Sequence, residues 1–142
     1  KVSPGIRAQL VRGLGSFLQP ALIHRALDAV IDGPLRTQDL RRVYGAASQR
    51  PQTRRAAWSW FQRRYDDILA TLGKEWAVGA PRAVSGVCDA AIRAEVVAFF
   101  ADPARMPDGA DRNLGLQLER IDECLQNKAL MQGPVETYLR ER

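Results

Sequence analysis

Histidine and cysteine are scarce in this sequence of 142 residues, which contains one histidine, His24, and two cysteines, Cys88 and Cys124. A structural zinc site needs four ligands, usually Cys and His side chains, and three such residues cannot supply them. The zinc hydrolase signature needs two histidines one helical turn apart, so a single histidine excludes it. We therefore expect no metal or cofactor in this chain, and we expect His24 to be a partly exposed helix residue.

Other motifs that carry chemistry are missing as well. Gly13 and Gly15 lack the third glycine and the preceding strand of a phosphate-binding loop. A catalytic cysteine needs a neighbouring base, and Cys124 stands beside the apolar Leu125 on a helical pattern, so we expect both cysteines to be packing residues. Charges interrupt the apolar runs within about ten residues, short of the ~20 that span a membrane. The sequence thus predicts a soluble chain with no catalytic residue of its own.

Positive charge is concentrated in the first half of the chain. Residues 1–64 contain twelve Lys or Arg and three acidic residues, whereas residues 65–142 contain nine and thirteen. A basic half is typical of a surface that meets nucleic acid, an anionic membrane or a negative group in a cavity. It is equally compatible with solvated helix faces whose arginine stems cover apolar neighbours.

Apolar residues recur with the 3.6-residue period of a helix along almost the whole chain, and strand-like alternation is nearly absent. Pro20 is suited to the first turn of one helix, and Asp89 can cap another. Gly73 and Pro103 mark helix ends. Residues 73–82 are predicted to be a linker. About eight helices are expected, near residues 6–18, 20–33, 37–45, 58–73, 83–87, 89–102, 111–133 and 134–142.

Short loops between consecutive helices favour antiparallel neighbours. The sequence therefore predicts an all-α fold in which helix hairpins stack as a curved α-solenoid of the HEAT or armadillo kind, forming one helical domain over residues 1–142. A compact irregular bundle is the alternative, because no exact sequence repeat is present. If such a solenoid is cut, its first hairpin exposes the apolar face that the missing neighbour covered.

The strongest helical pattern contains most of the aromatic residues. Trp58, Phe61 and Tyr65 fall on one face together with Ile68 and Leu72, which is the spacing of a core. Trp60 lies about 200° around the helix from Trp58. We expect Trp60 to contact a neighbouring hairpin or solvent and to matter less for stability. Stacking of these rings on nucleic-acid bases between flanking arginines is the functional alternative.

Four segments, in order, resemble the C-terminal helical domain of zinc aminopeptidases of the aminopeptidase N family, which includes the puromycin-sensitive and endoplasmic-reticulum aminopeptidases. The resemblance covers about residues 35–128. The segments read LRTQD at 35–39, a proline at 51 followed by AWSWF at 57–61 and YDDI at 65–68, EVVAFFA at 95–101, and LQLERI at 116–121.

The resemblance implies the end of a larger peptidase whose zinc-binding catalytic domain lies upstream, so this chain alone should be inactive. In that family the helical domain closes over the active site and walls a peptide chamber, where basic side chains can meet the substrate's C-terminal carboxylate. Some relatives have Arg where Gln49 stands, and Arg50 replaces a common Asn. We therefore take Arg36 and Arg50 as candidate substrate-binding residues. Arg36 could instead bridge between helices.

The implied partners are a peptide substrate and the missing catalytic domain, with no membrane. A freestanding helical-repeat module that binds nucleic acid or a partner protein is the competing hypothesis. We consider nucleic acid the weaker reading, because a charge-driven binder would not require the matching aromatic and acidic segments. The sequence leaves the compartment open between cytoplasm and periplasm.

Overall fold

A computed structural model describes residues 3–141, in which every regular element is helical. The α-helices are α1 (Pro4–Leu14), α2 (Pro20–Ile31), α3 (Leu40–Ser48), α4 (Pro51–Leu72), α5 (Lys74–Val78), α6 (Ala90–Phe100) and α7 (Ala110–Arg140). Three short 3-10 turns lie between them, at Thr37–Asp39, Ala80–Val84 and Pro103–Arg105. The predicted all-α class is confirmed.

Local residue chemistry accounts for several helix ends. Prolines stand in the first turn of α1, α2 and α4, where their missing N–H breaks no helical hydrogen bond. The Asp89 carboxylate accepts a hydrogen bond of 2.9 Å from the backbone N–H of Ile92 and caps α6, as predicted. Gly73 ends α4 with φ of 84°, a conformation that favours glycine.

Two predicted boundaries were wrong. The expected linker at 73–82 is mostly helical, because α5 and the turn Ala80–Val84 occupy it. The expected break at Gly133-Pro134 is absent, and α7 continues through Pro134 to Arg140. Residues 126–141 are exposed, so water can solvate the carbonyl that Pro134 leaves unpaired and no neighbouring element bends the helix. The predicted end near Arg142 lies outside the described residues.

Helix α4 is the centre of the molecule. Helices α2 and α3 pack against one side of it, α5 and α6 against other parts, and α1 packs on α3. Helix α7 covers α5, α6 and the turn Ala80–Val84. Helices α1 and α2 therefore pack on α3 and α4 respectively, and α3 and α4 also pack on each other. The antiparallel hairpins and the curved solenoid stay predictions.

The rings of α4 and its neighbours form one aromatic cluster with Phe61 at its centre. The centroid of Phe61 lies 5.5 Å from that of Trp58, 5.8 Å from Tyr65 and 5.8 Å from Tyr44. Trp76 and Phe99 complete the cluster. The predicted core face of α4 is thus confirmed, and Trp58, Phe61 and Tyr65 are too deeply buried to stack on nucleic-acid bases.

Trp60 is also fully buried, with 0% of its surface exposed. Its indole Nε1 donates a hydrogen bond of 2.8 Å to Asp28 on α2. Trp58 makes the corresponding bond, 3.0 Å long, to Glu95 on α6. Trp60 therefore contacts a neighbouring helix, which was one of the two expectations. Helix α4 is buried on both faces, so the expectation that Trp60 matters less for stability than Trp58 has no structural basis.

Cys88 and Cys124 form a disulfide bond, with their Cα atoms 5.6 Å apart. The expectation that both are simple packing residues was wrong. Cys88 lies just before α6 and Cys124 lies on α7, and the packing of α6 along α7 brings them together. The bond closes a loop across a sequence separation of 36.

Candidate functional site: a basic pocket beside an aromatic cleft

Three arginines line a small pocket between α1 and α3. Arg12 comes from the last turn of α1, and Arg41 and Arg42 come from the first turn of α3. The pocket has a volume of about 260 Å³, and its other lining residues are uncharged. Packing of α1 on α3 therefore gathers three positive charges around one cavity.

A buried carboxylate beside the pocket orients part of this cluster. Asp39 is fully buried and accepts hydrogen bonds from Arg7, from Arg42 and from the backbone N–H of Arg36. The guanidinium of Arg7, with help from the Arg36 N–H and the charge of Arg42, lowers the pKa of Asp39 although burial opposes this. Arg12 and Arg41 make no ion pair within residues 3–141, so two of the three cations of the pocket have no counter-ion there.

The two predicted binding residues lie beyond opposite ends of α3, and neither of them lines this pocket. Arg36 precedes the turn that leads into α3, and Arg50 follows α3 as the N-cap residue of α4. Since α3 alone is about 13 Å long, the fold does not bring their backbones together. Arg50 donates a hydrogen bond of 2.8 Å to the carbonyl of Ser16. The side chains of Arg36 and Arg50 are both exposed.

Sequence reasoning missed Arg12 and Arg41. The Arg41-Arg42 pair was visible as a charge pair on a helix, but nothing local indicated that Arg12 would face it. That juxtaposition depends on how α1 packs, which is a contact between residues far apart in the chain.

A larger cleft of about 630 Å³ lies next to the pocket and shares Arg41, Gly45 and Gln49 with it. Its walls come from α3, α4, α5, the turn Ala80–Val84 and α7. Asn113 of α7 joins this helix to the neighbouring walls. It donates a hydrogen bond of 2.8 Å to the carbonyl of Val78 and accepts one of 3.2 Å from Arg82. The aromatic side chains of Tyr44 and Trp76 line it.

Some of the positive charge of the first half is paired with carboxylates. Arg64 lies 3.8, 2.7 and 3.0 Å from carboxylate oxygens of Asp28, Asp32 and Asp67. Arg55 contacts Glu95. These arginines serve helix packing, which leaves fewer of them for a continuous basic track of the kind that follows a nucleic-acid backbone.

His24 has a structural role. Its Nε2 lies 3.0 Å from the carbonyl of Ala56, which can only accept, and its Nδ1 lies 3.2 Å from the guanidinium of Arg63, which can only donate. These contacts match the tautomer that donates at Nε2 and accepts at Nδ1. In residues 3–141, no group of three or more His, Cys, Asp or Glu side chains could hold a metal ion. The zinc implied by the resemblance therefore has no ligand set in this part of the chain.

Comparison with known proteins agrees with the resemblance seen in the sequence. The profile of the ERAP1-like C-terminal domain matches residues 2–123. The mitochondrial aminopeptidase 2 of Saccharomyces cerevisiae (strain ATCC 204508 / S288c) is 26% identical, over an alignment that covers 92% of this chain and 14% of that protein. The chain thus spans about one seventh of the length of this relative.

No solved structure gives a significant match to this chain. No helix within residues 3–141 has the length and apolar character that crossing a bilayer requires. The family match extends over most of the chain and includes α1 to α6 and the first half of α7. The chain therefore belongs to the ERAP1-like C-terminal domain family.

Proposed function

We propose that this chain is the C-terminal domain of a zinc-dependent aminopeptidase, that it walls the substrate chamber, and that its basic pocket contacts the C-terminal carboxylate of the peptide. Zinc would be held by residues outside this chain, and there it would activate the water that attacks the peptide bond. The observation that carries the proposal is the pocket itself, in which Arg12 and Arg41 have no counter-ion among the described residues 3–141.

A carboxylate suits this pocket for a physical reason. Guanidinium groups bind carboxylates through paired, charge-assisted hydrogen bonds, and clustered cations repel one another until an anion joins them. Asp39 already neutralises Arg7 and part of Arg42, so the remaining positive charge sits on Arg12 and Arg41. Arg36 and Arg50 lie beyond the two ends of α3 and would meet the residues of the peptide that precede its terminus.

The exposed apolar face of α1 supports a position at the end of a longer stack of helices. Ile6 and Leu10, one turn apart on α1, are 58% and 62% exposed, and Phe17 and Leu18 follow them. A helix face of this kind is suited to packing against a preceding helix. In the proposal this face contacts the part of the enzyme that comes before the chain.

Two labelled peptides of one sequence, with a free C-terminal carboxylate and with a C-terminal amide, test the carboxylate contact on the 142-residue chain. Fluorescence anisotropy should show that the free acid binds about 10- to 100-fold more tightly, the range for hydrogen bonds to a charged group. Arg12→Gln should remove most of this difference. Lys128→Gln, a change on the exposed part of α7, should leave it intact. Equal affinity of the two peptides would refute the carboxylate contact.

Kinetics of the longer enzyme test Arg36 and Arg50. Arg36→Ala or Arg50→Ala should raise KM for long peptides and leave hydrolysis of single-residue arylamides unchanged, as expected for a remote binding contact. The competing nucleic-acid hypothesis makes a different prediction for the chain. Duplex DNA would then bind tightly at about 150 mM salt. The slope of log affinity against log salt would be about −0.9 for each phosphate neutralised.

A further inference from the structure

The hydroxyl of Tyr44 is a buried polar group with no hydrogen-bond partner within residues 3–141. The residue is 9% exposed, and its ring packs against Trp60 and Phe61 with centroid distances of 6.4 and 5.8 Å. All three residues line the large cleft. Burial raises the pKa of the hydroxyl, so it stays protonated and can donate. A buried donor left unpaired is unfavourable, and a ligand acceptor that reached this hydroxyl would supply the missing hydrogen bond.

Charges of both signs stand around the same cleft. Glu75 of α5 and Arg41 of α3 line it, and neither has an ion pair within the part of the chain that the structure describes. Arg82 lines it as well and is held by the amide oxygen of Asn113 at 3.2 Å. The cleft therefore offers one negative group and two positive groups to an occupant.

The remaining surface of the cleft is largely apolar. Trp76 is half-buried there, and Val78, Ala80 and Ala83 extend the apolar wall. A volume of about 630 Å³ lies in the range of small-molecule sites and is several times that of one amino-acid side chain. An apolar or aromatic group of the ligand would be covered by this wall.

We infer that the cleft binds a small zwitterion with an apolar or aromatic side chain, namely a free α-amino acid or a dipeptide. Its carboxylate would lie against Arg82 and accept the hydrogen bond of Tyr44. Its ammonium group would lie against Glu75, and its side chain against Trp76. This site goes beyond the peptide-terminus contact of the basic pocket. If the proposed function holds, the ligands of this cleft belong to the chemical class that the enzyme releases. Occupancy of the cleft would then rise with product concentration.

Isothermal titration of the 142-residue chain with phenylalanine and with the dipeptide Phe-Phe tests the site and separates the two sources of ligand. Saturable binding of either ligand supports the proposal. The ligand that binds more tightly shows whether the cleft prefers a free amino acid or a dipeptide. Two fragments dissect the charges: 3-phenylpropionate lacks the ammonium group, and 2-phenylethylamine lacks the carboxylate. Each should bind about 10- to 100-fold more weakly than phenylalanine, the loss expected for one charged hydrogen bond.

Three variants link the binding to named groups. Glu75→Gln should weaken the binding of phenylalanine about tenfold or more and leave that of 3-phenylpropionate unchanged. Arg82→Gln should weaken the binding of phenylalanine by a similar factor and leave that of 2-phenylethylamine unchanged. Tyr44→Phe, which removes one oxygen from an otherwise retained ring, should weaken the amino acid about 2- to 10-fold. Glu123→Gln on α7 is the matched control and should change nothing.

Two results would overturn the inference. One is the absence of saturable binding of phenylalanine and Phe-Phe to a chain that melts cooperatively. The other is binding that is equal in the Tyr44, Glu75 and Arg82 variants. Failure here leaves the basic pocket untouched, because Arg12→Gln alters only the peptide pair described above. The two proposals therefore fail independently.

Discussion

Arg7 donates two hydrogen bonds to the carboxylate of Asp39, 3.1 and 2.6 Å long, and so joins α1 to the turn that leads into α3. The carboxylate is fully buried, and the backbone N–H of Arg36 bonds it from the same turn. Since α1 and α3 carry the arginines of the basic pocket, this ion pair sets the spacing of that pocket.

Asp39→Asn should lower the free energy of unfolding by about 1–3 kcal/mol, because the buried amide forms fewer and weaker hydrogen bonds with Arg7 and the Arg36 N–H than the carboxylate does. Urea titration followed by circular dichroism measures the loss. Asp108→Asn, at an exposed position, is the control and should stay within about 0.5 kcal/mol of the parent. A loss at Asp39 no larger than the control would show that the pair contributes nothing to stability.

Stability should fall in acid, and the Asp39 variant should show less of this effect. The pKa of Asp39 lies below its usual value of 3.8 in the folded chain, chiefly because Arg7 bonds the carboxylate. The folded state therefore binds protons less readily than the unfolded state, so the contribution is complete above pH 3.8 and is lost as pH falls through the lowered pKa. Asp122, bonded by Arg93, adds in the same direction. Melting temperatures of the parent and of Asp39→Asn that fall in parallel between about pH 6 and about pH 2 would contradict this.

Loss of the disulfide should destabilise the chain by about 3–4 kcal/mol, the loop-entropy value for a closed loop of this size. Thermal melts of the parent with and without reductant, and of Cys88→Ala/Cys124→Ala, measure the change. Reductant should lower the melting temperature of the parent only. A response of the double variant to reductant would mean that the effect does not come from this bond.

Trp58→Ala and Trp60→Ala should each cost about 3–5 kcal/mol, because both rings are fully buried. The indole hydrogen bonds to Glu95 and Asp28 would be lost at the same time. Guanidinium melts of both variants test this. A Trp60→Ala chain close to the parent in stability would restore the original ranking of the two positions.

The 142-residue chain should neither bind zinc stoichiometrically nor hydrolyse aminoacyl arylamides. The reason is chemical: its single histidine is held by Ala56 and Arg63, and both cysteines are in a disulfide. Metal analysis after dialysis and a chromogenic assay measure the two properties. One zinc per chain, or turnover that persists through further purification, would place the catalytic site here and defeat the proposed division of labour.

Sequence alone predicted those features that depend on near neighbours. The cap at Asp89 and the helix end at Gly73 are decided within a few residues, and both are confirmed. The basic pocket and the disulfide require residues from helices that are far apart in the sequence, so no local pattern revealed Arg12 beside Arg41 or Cys88 beside Cys124. At Pro134 the local pattern gave the wrong prediction. The helix continues through this proline, whose surroundings are exposed to water, so the carbonyl that it leaves unpaired can be solvated.

The bond between Cys88 and Cys124 also decides how the molecule responds to mechanical tension. A force applied between the two ends of the chain passes through the disulfide and bypasses the residues between them, which include all of α6 and the first half of α7. These residues would add about 120 Å to the stretched length if they were free to extend. In the oxidised protein these residues cannot extend, so the end-to-end length after forced unfolding is shorter by that amount than in the reduced protein.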